Sequence, residues 1–224
     1  MFSSIHSYVL HKWRYRHLFW SILFLFLVGS FVQLNQVGVI ITQISFALTI
    51  LLMLRTLNIG TQLMWFLRFL VAIALVGGIV GEVTYDAYKT DSLLILSNII
   101  FAVFLGISVI IISNQINNIQ KVDTDTISGA ICVYLLLGFF WYLLFRALVL
   151  IEPNSFLDLV DDEQIEFTLL YFSFTTLTTL GYGDISPSGT IAMSLSNLEA
   201  IVGQLYIAIA IARLVGLYSM QQDS

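Results

Sequence analysis

Thr178-Thr179-Leu180-Gly181-Tyr182-Gly183-Asp184 decides how this chain is read. Two glycines flank a tyrosine, and each glycine costs a helix interior about 1 kcal/mol against alanine. The stretch is therefore not a membrane-spanning helix. It makes little sense as a surface turn either, because the apolar segment Ile165 to Thr178 leads into it and Ser186-Pro187 and a long apolar run follow. Non-helical backbone at membrane depth survives only where protein buries it or where it lines a water-filled cavity. The loop is read as such a lining. The 14-residue segment before it is too short to cross and is read as a re-entrant helix.

Working outward, everything around the loop is apolar. Of 224 residues, 58% are hydrophobic and 10% charged, and the mean hydropathy is +0.93. Soluble domains carry roughly 25% charged residues, so an ordinary soluble protein is excluded. Six runs are each about long enough to cross a hydrocarbon core of ~30 Å as a helix: Leu18 to Leu34, Val37 to Leu54, Leu63 to Val80, Leu93 to Ile112, Ile127 to Ile151 and Ile191 to Leu217. Lipid offers bare backbone no partners, so the runs must be helices. The expected fold is an all-α membrane protein: six transmembrane helices, a re-entrant helix and the loop. Its expected divisions are residues 1–17, a cytoplasmic N-terminus; 18–113, a four-helix domain; 114–126, a cytoplasmic linker; 127–217, the module around the loop; and 218–224, a cytoplasmic tail.

Charge sets the orientation. With the N-terminus in the cytoplasm, Lys12, Arg14, Arg16, Arg55, Arg68, Lys121 and Arg213 fall on or near the inner side, and Lys89 and Arg146 toward the outer: seven against two. Glu82, Asp86, Asp91, Glu152, Asp158, Asp161, Asp162, Glu163, Glu166 and Asp184 all fall outside, where a negative vestibule concentrates cations. The expected localisation is the cell membrane, multi-pass, with both termini cytoplasmic. The basic residues before the first run also suit a signal peptide, but the run is too long and lacks a small-residue cleavage site.

The loop resembles the signature of potassium channels, whose filter usually reads Thr-Val-Gly-Tyr-Gly-Asp. The chain is similar to small prokaryotic six-span members with a single pore loop. The resemblance covers Ile127 to Leu217 and is specific, because the loop follows a short helix and lies between two spans. The carbonyl-lined filter is a known template to which these residues are matched. It implies that Thr179, Leu180, Gly181 and Tyr182 turn their carbonyls to one axis and, with the Thr179 hydroxyl, replace the water of a K+ ion. Gly181 and Gly183 would adopt backbone angles closed to residues with side chains. Tyr182 would pack outward, and its place in the filter favours potassium over a non-selective pore. Leu180 stands where valine or isoleucine is usual, with its side chain expected against the pore helix. Asp184 would sit at the outer mouth. Tyr171 and Phe172 fall where many members carry two tryptophans, so Tyr171 either bonds Asp184 or fills space. Thr175 replaces a glutamate found in some bacterial members, which puts a carboxylate-pair mode of inactivation in doubt. Thr178 ends the pore helix, whose partial negative charge there suits a cation. One chain supplies one loop and a ring needs four, so the resemblance implies a homotetramer. Transporters that resemble channels carry four loops in one chain. No cofactor is implied; K+ is the permeant ion.

The last run would be the inner helix. Gly203 lies where family members commonly bend this helix; close packing is the other reading of a glycine there. Ile207, Ile211 and Val215 continue its face and could form an apolar constriction that closes by dewetting. Glu199 is an intramembrane acid, read as either a structural hydrogen-bonding group or a gating group. Arg146 is expected to snorkel or to pair with an acid such as Glu166, and Arg213 to anchor at the interface. A voltage sensor needs several arginines along its fourth span, since each moved charge supplies about 2.3 kcal/mol per 100 mV. Leu93 to Ile112 contains no lysine or arginine, so weak or absent voltage dependence is expected. Asn117, Asn118, Asp123 and Asp125 are read as a solvated linker, not a metal site. The chain as given stops seven residues after Leu217, so a regulatory domain beyond it is not expected.

Other classes fare worse. The net charge of −5 provides no basic face for nucleic acid. One cysteine, Cys132, excludes an intrachain disulfide. His6, His11 and His17 cluster only at the N-terminus and no phosphate-binding loop exists, so an enzyme is not expected. The expected function is a potassium-selective channel conducting passively in a lipid bilayer. A weakly selective cation channel and a silent subunit of the same fold are the alternatives.

Overall fold

The structure, a computed structural model, describes residues 13–31, 36–88, 92–119, 122–159 and 165–222. His6, His11, Lys12, Lys89, Asp91, Lys121, Asp161, Asp162 and Glu163, which entered the readings above, lie outside the described residues, as do the side chains of Glu82 and Asp86. The chain is almost entirely helical. In order come α1 (Arg14–Phe31), α2 (Gln36–Thr56), α3 (Thr61–Tyr88), α4 (Ser92–Asn117), α5 (Thr124–Ile151), β1 (Phe156–Leu157), α6 (Ile165–Leu177), β2 (Ser186–Pro187) and α7 (Thr190–Gln222).

Four of these, α3, α4, α5 and α7, are long and apolar enough among the described residues to cross a membrane. The first two expected spans are helical, as α1 and α2. Several helices outrun their apolar runs. α4 continues through Asn117 although its run stops at Ile112, because hydropathy marks where lipid ends while a helix continues as long as its backbone bonds do. The polar end is satisfied: Tyr15 Oη donates to Gln115 Oε1 at 2.9 Å. α4 carries no charged residue at all.

The chain forms two compact units, each built from separated segments. One comprises Met1–Gly60, Ser108–Leu135 and Ala210–Ser224. In it Ser21 and Thr49 share a hydroxyl hydrogen bond of 2.7 Å, joining α1 to α2. Asp123 caps α5, accepting from Thr126 N–H at 2.8 Å, a bond worth about 1 kcal/mol. Asp125 corrects the solvated-linker reading. Asn117, Asn118 and Asp123 are exposed, but Asp125 is only 9% exposed. It accepts from the backbone N–H of Arg16 at 3.0 Å, so its carboxylate closes the first turn of α1. Arg213 donates to the carbonyl of Asn117, one of the last in α4.

The other unit comprises Thr61–Ile107 and Leu136–Ile209. Its core is aromatic. Phe145, Phe156 and Phe172 meet edge to face with centroids 5.0 to 5.6 Å apart, and Trp141 stacks on Phe145 at 6.4 Å. Such pairs contribute about 0.5–1.5 kcal/mol each beyond burial. They fix α6 to α5 and to β1. β1 pairs antiparallel with β2, Phe156 opposite Pro187 and Leu157 opposite Ser186. This clasp ties the segment before α6 to the segment after the loop. Ser155 O reinforces it, accepting from Ser188 N–H at 2.9 Å. Arg146 ion-pairs with Glu166 and donates to Asn98 Oδ1 at 3.3 Å, linking α5 to α6 and to α4.

Candidate functional site

The loop at 178–184 is shaped by the helix in front of it. The last carbonyls of a helix have no intrahelical donors. Here the following residues supply them. Thr178 N–H donates to Phe174 O at 3.1 Å, Thr179 N–H to Thr176 O at 2.9 Å, and the N–H groups of Leu180 and Gly181 to Thr175 O at 2.8 and 3.2 Å. The loop's first amides are thus used by the end of α6. Among the described residues, no backbone hydrogen bond ends on the carbonyls of Thr179, Leu180, Gly181 or Tyr182.

Backbone angles complete the shape. φ is 58° at Thr179, 50° at Gly181 and 81° at Gly183, with Leu180 and Tyr182 between them on the negative side. In an ordinary strand successive residues face opposite ways. Alternation of left- and right-handed residues instead turns successive peptide groups into one concavity. A Cβ at Gly181 or Gly183 would meet nothing within 4 Å, so glycine is needed for its conformation, not for space. Thr179 holds the same hand without that freedom, at a cost of about 1–2 kcal/mol, the kind of strain that collects at functional sites. The result is a run of carbonyl oxygens with no recorded backbone donor among the described residues.

Four contacts hold the loop. Tyr171 Oη donates to Asp184 Oδ2 at 2.8 Å, and the Tyr171 and Tyr182 rings stack at 6.3 Å, nearly parallel. The bond to Asp184 pushes the Tyr171 phenol up to about 12. Gln204 Nε2, from α7, donates to Thr179 Oγ1 at 3.3 Å. Thr178 Oγ1 donates to Phe174 O at 2.7 Å. In the single chain Leu180 is 55% exposed and Tyr182 68% exposed.

The remaining candidates lie on α7. Glu199 is buried and shares a hydrogen bond with Ser173 Oγ at 2.6 Å. Gly203 packs: a Cβ there would stand 2.3 Å from Leu177 O, so only glycine admits α6 at this distance. Ile207 is half-buried, while Ile211 and Val215, in the other unit, are exposed. Sequence reading expects Glu199 to be protonated or bonded to pore-helix hydroxyls, of which Ser173 is the one it meets; it assigns no part to Gly138 or Gln204. Their roles depend on which helices are neighbours, and no spacing in the sequence reveals that. Among the described residues, no three metal-ligating side chains come together.

Comparison with known proteins agrees with the geometry. A family model described as ion channel matches residues 129–219, a stretch that takes in most of α5, α6, the loop and nearly all of α7. No curated protein and no solved structure matches the chain. The chain is thus a membrane protein whose residues 129–219 are similar to the ion channel family, in keeping with the resemblance of its loop to potassium channels.

Proposed function

We propose that this protein is a potassium-selective channel in which four copies place their 178–184 loops around one axis. The observation that carries this reading is the alternation of φ at Thr179, Gly181 and Gly183 together with amides tied back to α6. Oxygens so freed can stand in for the hydration shell of a monovalent cation. Thr179, Leu180, Gly181 and Tyr182 line the ion path with Gly183 at its outer end, α6 is the pore helix, and Asp184, Tyr171 and Thr178 support the filter. A single loop cannot encircle an ion, which is why the tetramer is part of the proposal.

α1 and α2 complete six spans, with both termini cytoplasmic. Ile207, Ile211 and Val215 form the inner constriction. The tight seat of Gly203 against Leu177 O favours packing over bending as that glycine's task. Conduction responds weakly to voltage, because α4 has no charge to move. Purified protein in a planar bilayer, with potassium on one side and sodium on the other, provides the test. The reversal potential is expected near the potassium limit. A reversal near zero would replace this reading with a weakly selective cation pore, and absence of current would point to a silent subunit.

A further inference from the structure

Glu199 sits in the apolar body of the channel domain with 0% exposure. Its recorded surroundings are short of charge: Ser173 Oγ from α6 touches it, and the Gly138 carbonyl from α5 touches that hydroxyl in turn. Among the described residues, no hydrogen bond or ion pair joins it to a charged side chain.

Proton counting on these contacts favours a neutral carboxyl. Ser173 Oγ lies 2.6 Å from Glu199 Oε1 and 2.8 Å from Gly138 O. A hydroxyl has one proton to give. A carbonyl has none, so the contact with Gly138 is a hydrogen bond only when serine donates there. The proton in the 2.6 Å contact must then come from the carboxyl. The second oxygen agrees: Glu199 Oε2 is buried without a partner. A carboxylate would leave that half-charged oxygen bare in a desolvated site, whereas a neutral acid leaves only a weak acceptor unused.

We propose that Glu199 is held as the neutral acid and serves as a positioning residue for the filter. Its proton completes a relay from Glu199 Oε1–H to Ser173 Oγ, and from Ser173 Oγ–H to Gly138 O. The relay locks α6 between α5 and α7. The geometry around it is built for close approach. Glu199 and Gly203 are four residues apart on α7, and Ser173 and Leu177 four apart on α6, so each pair lies on one helix face. The helices meet along a seam with one polar rung and one rung of bare backbone, where a Cβ on Gly203 would stand 2.3 Å from Leu177 O. On the α5 side, a Cβ on Gly138 would stand 2.5 Å from the Phe174 ring. Leu177 adjoins the loop, so a shift of this seam moves the loop's anchor. The effect on conduction rests on the channel reading above; the protonation of Glu199 does not.

The test uses the full-length protein in lipid vesicles at neutral pH. Infrared spectra of the wild type and of Glu199→Gln are compared for the protonated-carboxyl C=O band. The band is expected in the wild type and absent from the variant; a wild type without it overturns the proposal. Potassium efflux is then measured in the same vesicles. Glu199→Gln keeps a neutral donor facing Ser173 and is expected to conduct within about twofold of wild type, while Glu199→Ala and Ser173→Ala lose roughly tenfold, one hydrogen bond's worth. Glu199→Gln as defective as Glu199→Ala also overturns it. If the wild type itself passes no potassium, the channel reading fails, and the infrared band still decides the state of Glu199.

Discussion

The two long helices of the channel domain, α5 and α7, are alike in length and apolarity and opposite in what surrounds them. In α5, 44% of the most apolar 18-residue stretch is buried within the chain; in α7 the figure is 6%. α5 is finished by its own chain, through Phe145, Phe156 and Phe172. α7 touches its own chain at few points, Glu199 and Gly203 among them, and leaves Leu198, Ile201, Leu205 and Ile209 uncovered. Lipid can cover such a face, and so can further copies of the chain, as the tetramer proposed above requires. The contrast separates a helix packed within its own chain from one that is not.

The largest effect should come from α5. Phe145→Ala removes the centre of the aromatic cluster and is expected to cost about 3–5 kcal/mol, read as a lower midpoint in thermal unfolding of the detergent-solubilised protein. A cost below about 1 kcal/mol would mean that α5 is not self-sufficient. On α7 a smaller and different effect is expected. Leu205→Asn should leave helix content by circular dichroism unchanged, yet weaken each subunit contact by about 1–2 kcal/mol. The readout is the tetramer fraction in native gels or mass spectrometry. An unaltered tetramer would assign that face to lipid. The smallest effect belongs to the loop's edge. Tyr171→Phe deletes the donor to Asp184 and should leave conduction intact but less durable in sustained recordings. The pH sign is fixed by the upward shift of the Tyr171 phenol to about 12. The proton is bound more tightly in the folded protein, so the bond's contribution is complete below the ordinary phenol value of about 10 and is lost as pH rises through about 12. Wild-type current should become less durable in sustained recordings over that alkaline window, and the change tied to this bond should be missing in Tyr171→Phe.

Much of this was legible beforehand, for a physical reason. A loop that needs alternating handedness needs glycine at fixed alternate positions, and a helix that meets lipid must be apolar along its length. Both demands are written residue by residue. Demands between segments are not. Asp125 looks like one more linker acid until α1 is seen to end on it, and Gln115 looks like a polar stop until Tyr15 reaches it. The clasp of β1 and β2 has two residues per strand, too few for any alternation to show. Ser173 sits in an apolar helix with nothing local to mark it. Leu180, expected with its side chain against the pore helix, is 55% exposed in the single chain, and what else covers it is not written in any local pattern.

The carboxylate of Asp125 beneath the first turn of α1 has a mechanical meaning. It is a depth stop. Sliding α1 along its own axis by even one residue, about 1.5 Å, would pull the Arg16 amide off its acceptor and expose an unpaired dipole to a greasy surround. On the proposal that α1 crosses the bilayer, a change in bilayer thickness is met by tilt rather than by pistoning of this helix, with the base of α1 as the pivot and the start of α5 as the bearing.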